Sequence, residues 1–173
     1  MDLITNRSAK DVERWKELKA KGWDGMTELE RLEWLGEVDP YPAAAAFRGM
    51  YTHNDLNRVE RAVEEIASRL CENGYGLTSV VTKTDWSYDD PFGIEDIKRY
   101  YSNIEKLRNA MVVYWNTPEA PVVENRLTYK IANDIETILQ HVDDITLKLI
   151  NSWSYVGDRG LELGEVMYYG YLF

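Results

Sequence analysis

Thr52-His53-Asn54-Asp55-Leu56-Asn57-Arg58-Val59-Glu60-Arg61-Ala62-Val63-Glu64-Glu65-Ile66-Ala67-Ser68-Arg69-Leu70, closing on Asn73-Gly74, is the stretch whose pattern decides the fold. Leu56, Val59, Val63, Ile66 and Leu70 recur at intervals alternating between three and four residues, which places them on one face of an α-helix. Thr52 and Asp55 have the spacing of a capping box at its start, and Asn73-Gly74 supplies the residue that ends it. The pattern predicts a helix over 52–72.

Downstream, the same period returns twice. Ile94, Ile97, Tyr101, Ile104, Leu107 and Met111 line one face of a helix predicted over 94–112. Ile131, Ile135, Ile138, Val142, Ile145 and Leu149 form a heptad-like seam on a helix capped by Thr128 and predicted over 129–154. Such a seam serves either as the core face of a bundle or as a coiled-coil contact between subunits. Leu77 to Thr82 is β-prone and reads as a short strand or an extended loop. Asp85 to Gly93 reads as irregular, and Pro118 and Pro121 break the chain again.

Upstream, Ser8 with Asp11 and Thr27 with Glu30 start two further helices. The first, over 8–21, carries Val12, Trp15 and Leu18 and stops at Gly22; the second carries Leu29, Leu32, Trp34 and Leu35 and stops at Gly36. Asp39-Pro40-Tyr41-Pro42 disfavours helix, so 37–50 reads as a connector, its Ala43 to Ala46 turn limited by Gly49. The fold class is therefore all-α in the main. An N-terminal helical hairpin and linker (1–50) precede a helical bundle (51–156), and a short C-terminal arm (157–173) alternates glycines with apolar and aromatic residues. That arm suits a β-hairpin or an extended segment, docking on a neighbour or folding back on its own bundle.

Composition bounds the function. Thirty acidic against twenty basic side chains leave a net charge of -10, which repels nucleic acid and anionic lipid. No run approaches the roughly 20 apolar residues of a membrane span, and the start lacks a secretory signal pattern. Neither nucleic acid nor membrane is an expected partner. One cysteine, Cys71, and two histidines, His53 and His141, far apart, give no metal-ligand spacing. Asp89-Asp90 and Asp143-Asp144 are carboxylate pairs, but thirty acids produce such neighbours by chance. No nucleophile elbow or phosphate loop occurs. The expectation is a protein without catalytic residues, cofactor or metal.

Aromatics are biased toward rings with a polar handle: six Trp and twelve Tyr against three Phe. Such rings suit contact surfaces as well as cores. The candidate interaction residues are Trp86 and Tyr88, whose rings beside carboxylates could stack on a sugar, with Trp153, Tyr155, Tyr168, Tyr169, Tyr171 and Phe173; packing of Trp86 onto the bundle is the other reading of that ring. A cell-surface glycan is accordingly one candidate partner.

Tyr51 through Glu60 resembles the Tyr-x-x-x-Asp-Leu-Asn-Arg-(Val or Ile)-Glu signature of small structural proteins of phages and prophages of Gram-positive bacteria. Lys83-Thr84-Asp85-Trp86, Arg99-Tyr100, Asn103-Ile104, Leu107-Arg108, Leu127-Thr128-Tyr129 and Ala132-Asn133-Asp134-Ile135-Glu136 follow in the order of that family, and Ile4-Thr5-Asn6-Arg7 fits its start. The Asp39 to Pro42 segment and the alanine run depart from it. The resemblance implies a tail, baseplate or fibre-associated role, other phage structural proteins or a second copy of the chain as partners, and residence in the host cytoplasm during assembly and then in the virion. It transfers no catalytic residue. A phage-encoded regulatory or host-takeover role is the third reading, after a glycan-binding accessory module. The motif residues are Tyr51, Asp55, Leu56, Asn57, Arg58, Glu60, Asn133, Asp134 and Glu136. Physically, Leu56 and Val59 should face the core, Asp55 should cap, and Arg58 should pair with a carboxylate such as Glu136.

Overall fold

A computed structural model describes residues 2–35, 48–77, 79–123 and 126–158, with the backbone alone for 153–158. Its regular structure is all helical, in the order α1 (Ala9–Gly25), α2 (Glu28–Leu35), α3 (His53–Glu72), α4 (Ile94–Asn109) and α5 (Tyr129–Asp158), with no strand among the described residues. The all-α bundle read from the period is what the chain forms.

Each start and stop has a local cause. The Ser8 hydroxyl and amide both donate to Asp11, and the Thr27 amide and hydroxyl both donate to Glu30. Asp55 accepts from the Thr52 amide at 2.8 Å. At the far end of α3, Gly74 has φ +83, its amide donates to Cys71 and the Tyr75 amide to Leu70, a paired closure of the orphan carbonyls. α1 runs past its expected end: Gly22 adopts φ +66, breaking the helical path, and one more turn leads to Gly25.

α3, α4 and α5 pack on one another and enclose the main core. Val59, Ile66, Leu70, Ile104, Leu107, Ile135, Ile138 and Val142 are sealed from solvent. Each such side chain contributes roughly 1.5–3 kcal/mol on burial. The seam of α5 therefore serves its own bundle over Ile135 to Val142, while Ile145 and Leu149 are half-buried. Two details of α4 differ from the period. Ile94, expected inside, is exposed on the first turn, and Tyr100, outside the expected stripe, is buried beside Tyr101 with its hydroxyl 2.6 Å from that of Tyr51. The helix also ends at Asn109, leaving Met111 packed on the core from the loop.

α1 and α2 close on a smaller core of Leu18 and Met26 flanked by Trp15 and Trp34. Arg14 bridges to Glu33 at 2.8 Å, and Lys21 pairs with Glu30. The Lys21 ammonium, helped by the Thr27 amide, holds the Glu30 carboxyl down at about 2.

The β-prone segment around 79–82 stays extended without a partner strand. Side chains of α4 replace one: Arg99 and Asn103 donate to the Val81 carbonyl at 2.9 and 2.7 Å, and Lys106 donates to the Ser79 carbonyl at 2.8 Å. The Asp39 to Pro42 connector with Ala43 to Ala46, and the arm beyond 158, lie outside the described residues, and the expected boundary at 157 gives way to two more helical residues of α5.

Candidate functional site

Residues from the 51–60 and 133–136 segments build a buried ion network. Asp55 on α3 and Glu136 on α5 face two guanidiniums, Arg58 from α3 and Arg7 from the segment ahead of α1. Arg58 donates to Asp55 at 2.7 Å and to Glu136 at 2.9 Å; Arg7 donates to Asp55 at 3.0 Å and to Glu136 at 2.8 Å. The expected Arg58 to Glu136 pair is present. The side chains of Arg7, Asp55 and Glu136 are at most 2% exposed.

Two cations and two anions in so dry a place can coexist only because the charges cancel and share hydrogen bonds; one partner removed leaves an unpaired buried charge. Burial works against the charged form of Arg58, but the Glu136 and Asp55 carboxylates outweigh it and its pKa goes up. The network also anchors backbone. The Ile4 amide donates to Glu136, while Asn133 clasps Arg7 by both its amide and its carbonyl at 3.0 and 2.8 Å. Arg7 lies over the Tyr51 ring at 5.3 Å, and burial raises the pKa of both Tyr51 and Tyr100 above the ordinary value of 10.0.

A second station draws on neighbouring residues of the same stretch of α3, Asn57 and Glu60. Asn57 holds Trp86 by its backbone, donating to the carbonyl at 2.8 Å and accepting from the amide at 2.7 Å. Glu60, fully buried, receives a two-pronged contact from Arg99 at 2.6 and 2.8 Å and a bond from the Lys83 amide. Trp86 is 4% exposed, packed edge-on to Phe92 with Lys83 4.0 Å above its ring centroid. Of the two readings of Trp86, sugar platform or packing onto the bundle, the second holds: the indole is core. Tyr88, next in the same loop, is 89% exposed.

Thus the structure brings together Tyr51, Asp55, Leu56, Asn57, Arg58, Glu60, Asn133 and Glu136. Asp134 shares no hydrogen bond with them; burial raises its carboxyl pKa, with Lys130 opposing. Trp153 and Tyr155 are on the backbone of α5, and Tyr168, Tyr169, Tyr171 and Phe173 lie outside the described residues.

The paired carboxylates are separately engaged: Asp90 with Lys83, Asp143 with Arg69, Asp144 with Tyr114 and Lys148. His141 bonds Thr117 at 2.9 Å. Among the described residues no cluster of His, Cys, Asp and Glu has the grouping of a metal site, and no helix is long and apolar enough to cross a membrane.

Sequence reasoning named Arg7 and Arg99 only within the resembling segments and gave neither a partner, because a distant carboxylate leaves no local signal; it passed over Trp115, which is 97% exposed between Asn109 and Pro118. No protein-family model matches this chain, and no curated protein or solved structure matches it either.

Proposed function

We propose that this chain is a structural or assembly protein of a bacteriophage or prophage particle, acting through contacts with other proteins. One observation carries the reading. Every polar side chain of Asp55-Leu56-Asn57-Arg58-Val59-Glu60, the segment on which the phage resemblance rests, is engaged inside the molecule. A motif that fastens the N-terminal segment, the 83–86 loop, α4 and α5 onto α3 fits a protein selected for shape and surface. Exposed rings and valines in the loops between helices, Tyr88, Val112 and Trp115, supply contact area of the kind that recognition surfaces use.

Quantitative mass spectrometry of purified particles, induced from a strain that carries this chain, tests the proposal. A reproducible copy number relative to the major tail and capsid proteins is the expected result. Absence from particles while the chain is abundant in the induced cell would refute it and favour the regulatory or host-takeover reading.

A further inference from the structure

Asn73 and Gly74 close α3, and the residue that permits the closure also makes it chemically labile. Gly74 sits at φ +83, where a side chain would be strained, so the turn calls for glycine. Its backbone nitrogen then has no side chain beside it to hinder attack on the preceding asparagine. Asn73 is the one asparagine of the chain followed by glycine, and both residues are exposed to water.

The reaction such a pair undergoes needs only water and base. The Gly74 nitrogen gives up its proton and bonds to Cγ of Asn73 while the Cγ–Nδ2 bond breaks, and Nδ2 leaves as ammonia with a proton taken from water. Water then opens the five-membered imide at either carbonyl, leaving an aspartyl or an isoaspartyl residue. Nothing is oxidised or reduced; a side-chain amide and water become a carboxylate and ammonium.

The folded closure opposes each part of this step. Asn73 has φ -98 and ψ 18. A ψ near zero sets the Gly74 nitrogen almost over the Asn73 nitrogen, turned away from the Cβ that carries the target carbon. The Asn73 side-chain amide donates to the Arg69 carbonyl at 2.8 Å, which ties the target in place. The Gly74 amide donates to the Cys71 carbonyl at 3.1 Å, a bond to the protonated form that resists its ionisation. The Tyr75 amide, bonded to the Leu70 carbonyl at 3.0 Å, fastens the next residue, and Asn73 and Tyr75 line one small cleft with Leu149 and Ile150 of α5.

We infer that Asn73 is a self-modification site gated by the end of α3: the closed turn protects it from deamidation, and opening of that turn releases it. Conversion places a negative charge at the C-terminal end of a helix, where the backbone dipole disfavours one, and removes the bond to Arg69. Each modified chain therefore closes α3 less firmly beside Leu149 and Ile150. The inference is independent of the particle role.

Incubation of the full chain in mildly alkaline buffer, native and in concentrated urea, tests it, with amide-to-acid conversion and isoaspartyl content read by mass spectrometry of the peptide that carries residue 73. In urea, Asn73 should convert ahead of every other asparagine. In the native chain it should convert about tenfold more slowly or less, since the bonds of Asn73, Gly74 and Tyr75 must open and each holds by up to roughly tenfold. Tyr75→Pro deletes the amide that bonds Leu70; once circular dichroism establishes that it folds, its native rate should rise toward its urea rate. Equal rates with and without urea, or earlier conversion of another asparagine in urea, would overturn the inference. So would a folded Tyr75→Pro that converts no faster than the parent; where that variant does not fold, the comparison of native with urea decides alone.

Discussion

Arg58 stands 2.7 Å from Asp55 and 2.9 Å from Glu136, and Arg7 completes the square from the far end of the chain. The Arg58 pairing was readable because both partners sit in strongly periodic segments that had to pack. Arg7 was not, since it lies 48 and 129 residues from its two acids and nothing local marks it. The phenol pair beside this network gives a prediction in pH. Tyr51 and Tyr100 hold their protons more tightly in the folded protein than the ordinary value of 10.0, chiefly through burial. A raised pKa leaves stability intact below pH 10 and erodes it as pH climbs beyond, because the unfolded chain ionises first. Alkaline titration followed by phenolate absorbance and circular dichroism should show a fraction of the twelve tyrosines ionising only with loss of helix. Complete ionisation with helicity retained would contradict the burial of this pair.

At the scale of elements, starts and stops were legible because capping boxes and the closure at Gly74 depend on residues within one turn. The fate of the β-prone segment was not. Its carbonyls are taken by Arg99, Asn103 and Lys106, between 18 and 27 residues further on, and no local pattern reports that. The burial of Tyr100 was likewise not legible, since its hydroxyl partner, Tyr51, lies 49 residues away. Gly49 was read as a limit on a helical turn; its role is contact. A Cβ there would lie 2.0 Å from the Asp11 carbonyl oxygen and 2.9 Å from the Trp15 Cβ, so the backbone leading into α3 is laid directly on α1. Gly49→Ala should destabilise the protein by about 1–3 kcal/mol in urea unfolding, as overpacking does elsewhere. An unchanged midpoint would mean that α1 does not press on this segment.

On the scale of the whole molecule, the network ties the segment before α1 to the same two helices that build the core, although sequence pattern alone groups that segment with the hairpin. Asp55 and Glu136 each bind Arg7 and Arg58, so loosening any member loosens the N-terminal segment, α3 and α5 together. Sequence left Trp86 between a sugar platform and packing on the bundle, because a tryptophan in a loop looks the same in sequence whether it faces water or the core; the fold buries it. Trp115 shows the opposite outcome from an equally plain setting. What the motif does is brace; what remains for partners is surface.

A double-mutant cycle on Arg58→Met and Glu136→Leu, read by urea unfolding, tests that claim most directly. Each single substitution strands buried charge and should cost about 3–5 kcal/mol, whereas the double leaves Arg7 balanced by Asp55 and should cost much less than the sum. Singles within about 0.5 kcal/mol of the parent, the range of ordinary surface changes, would show that the motif does not hold the fold.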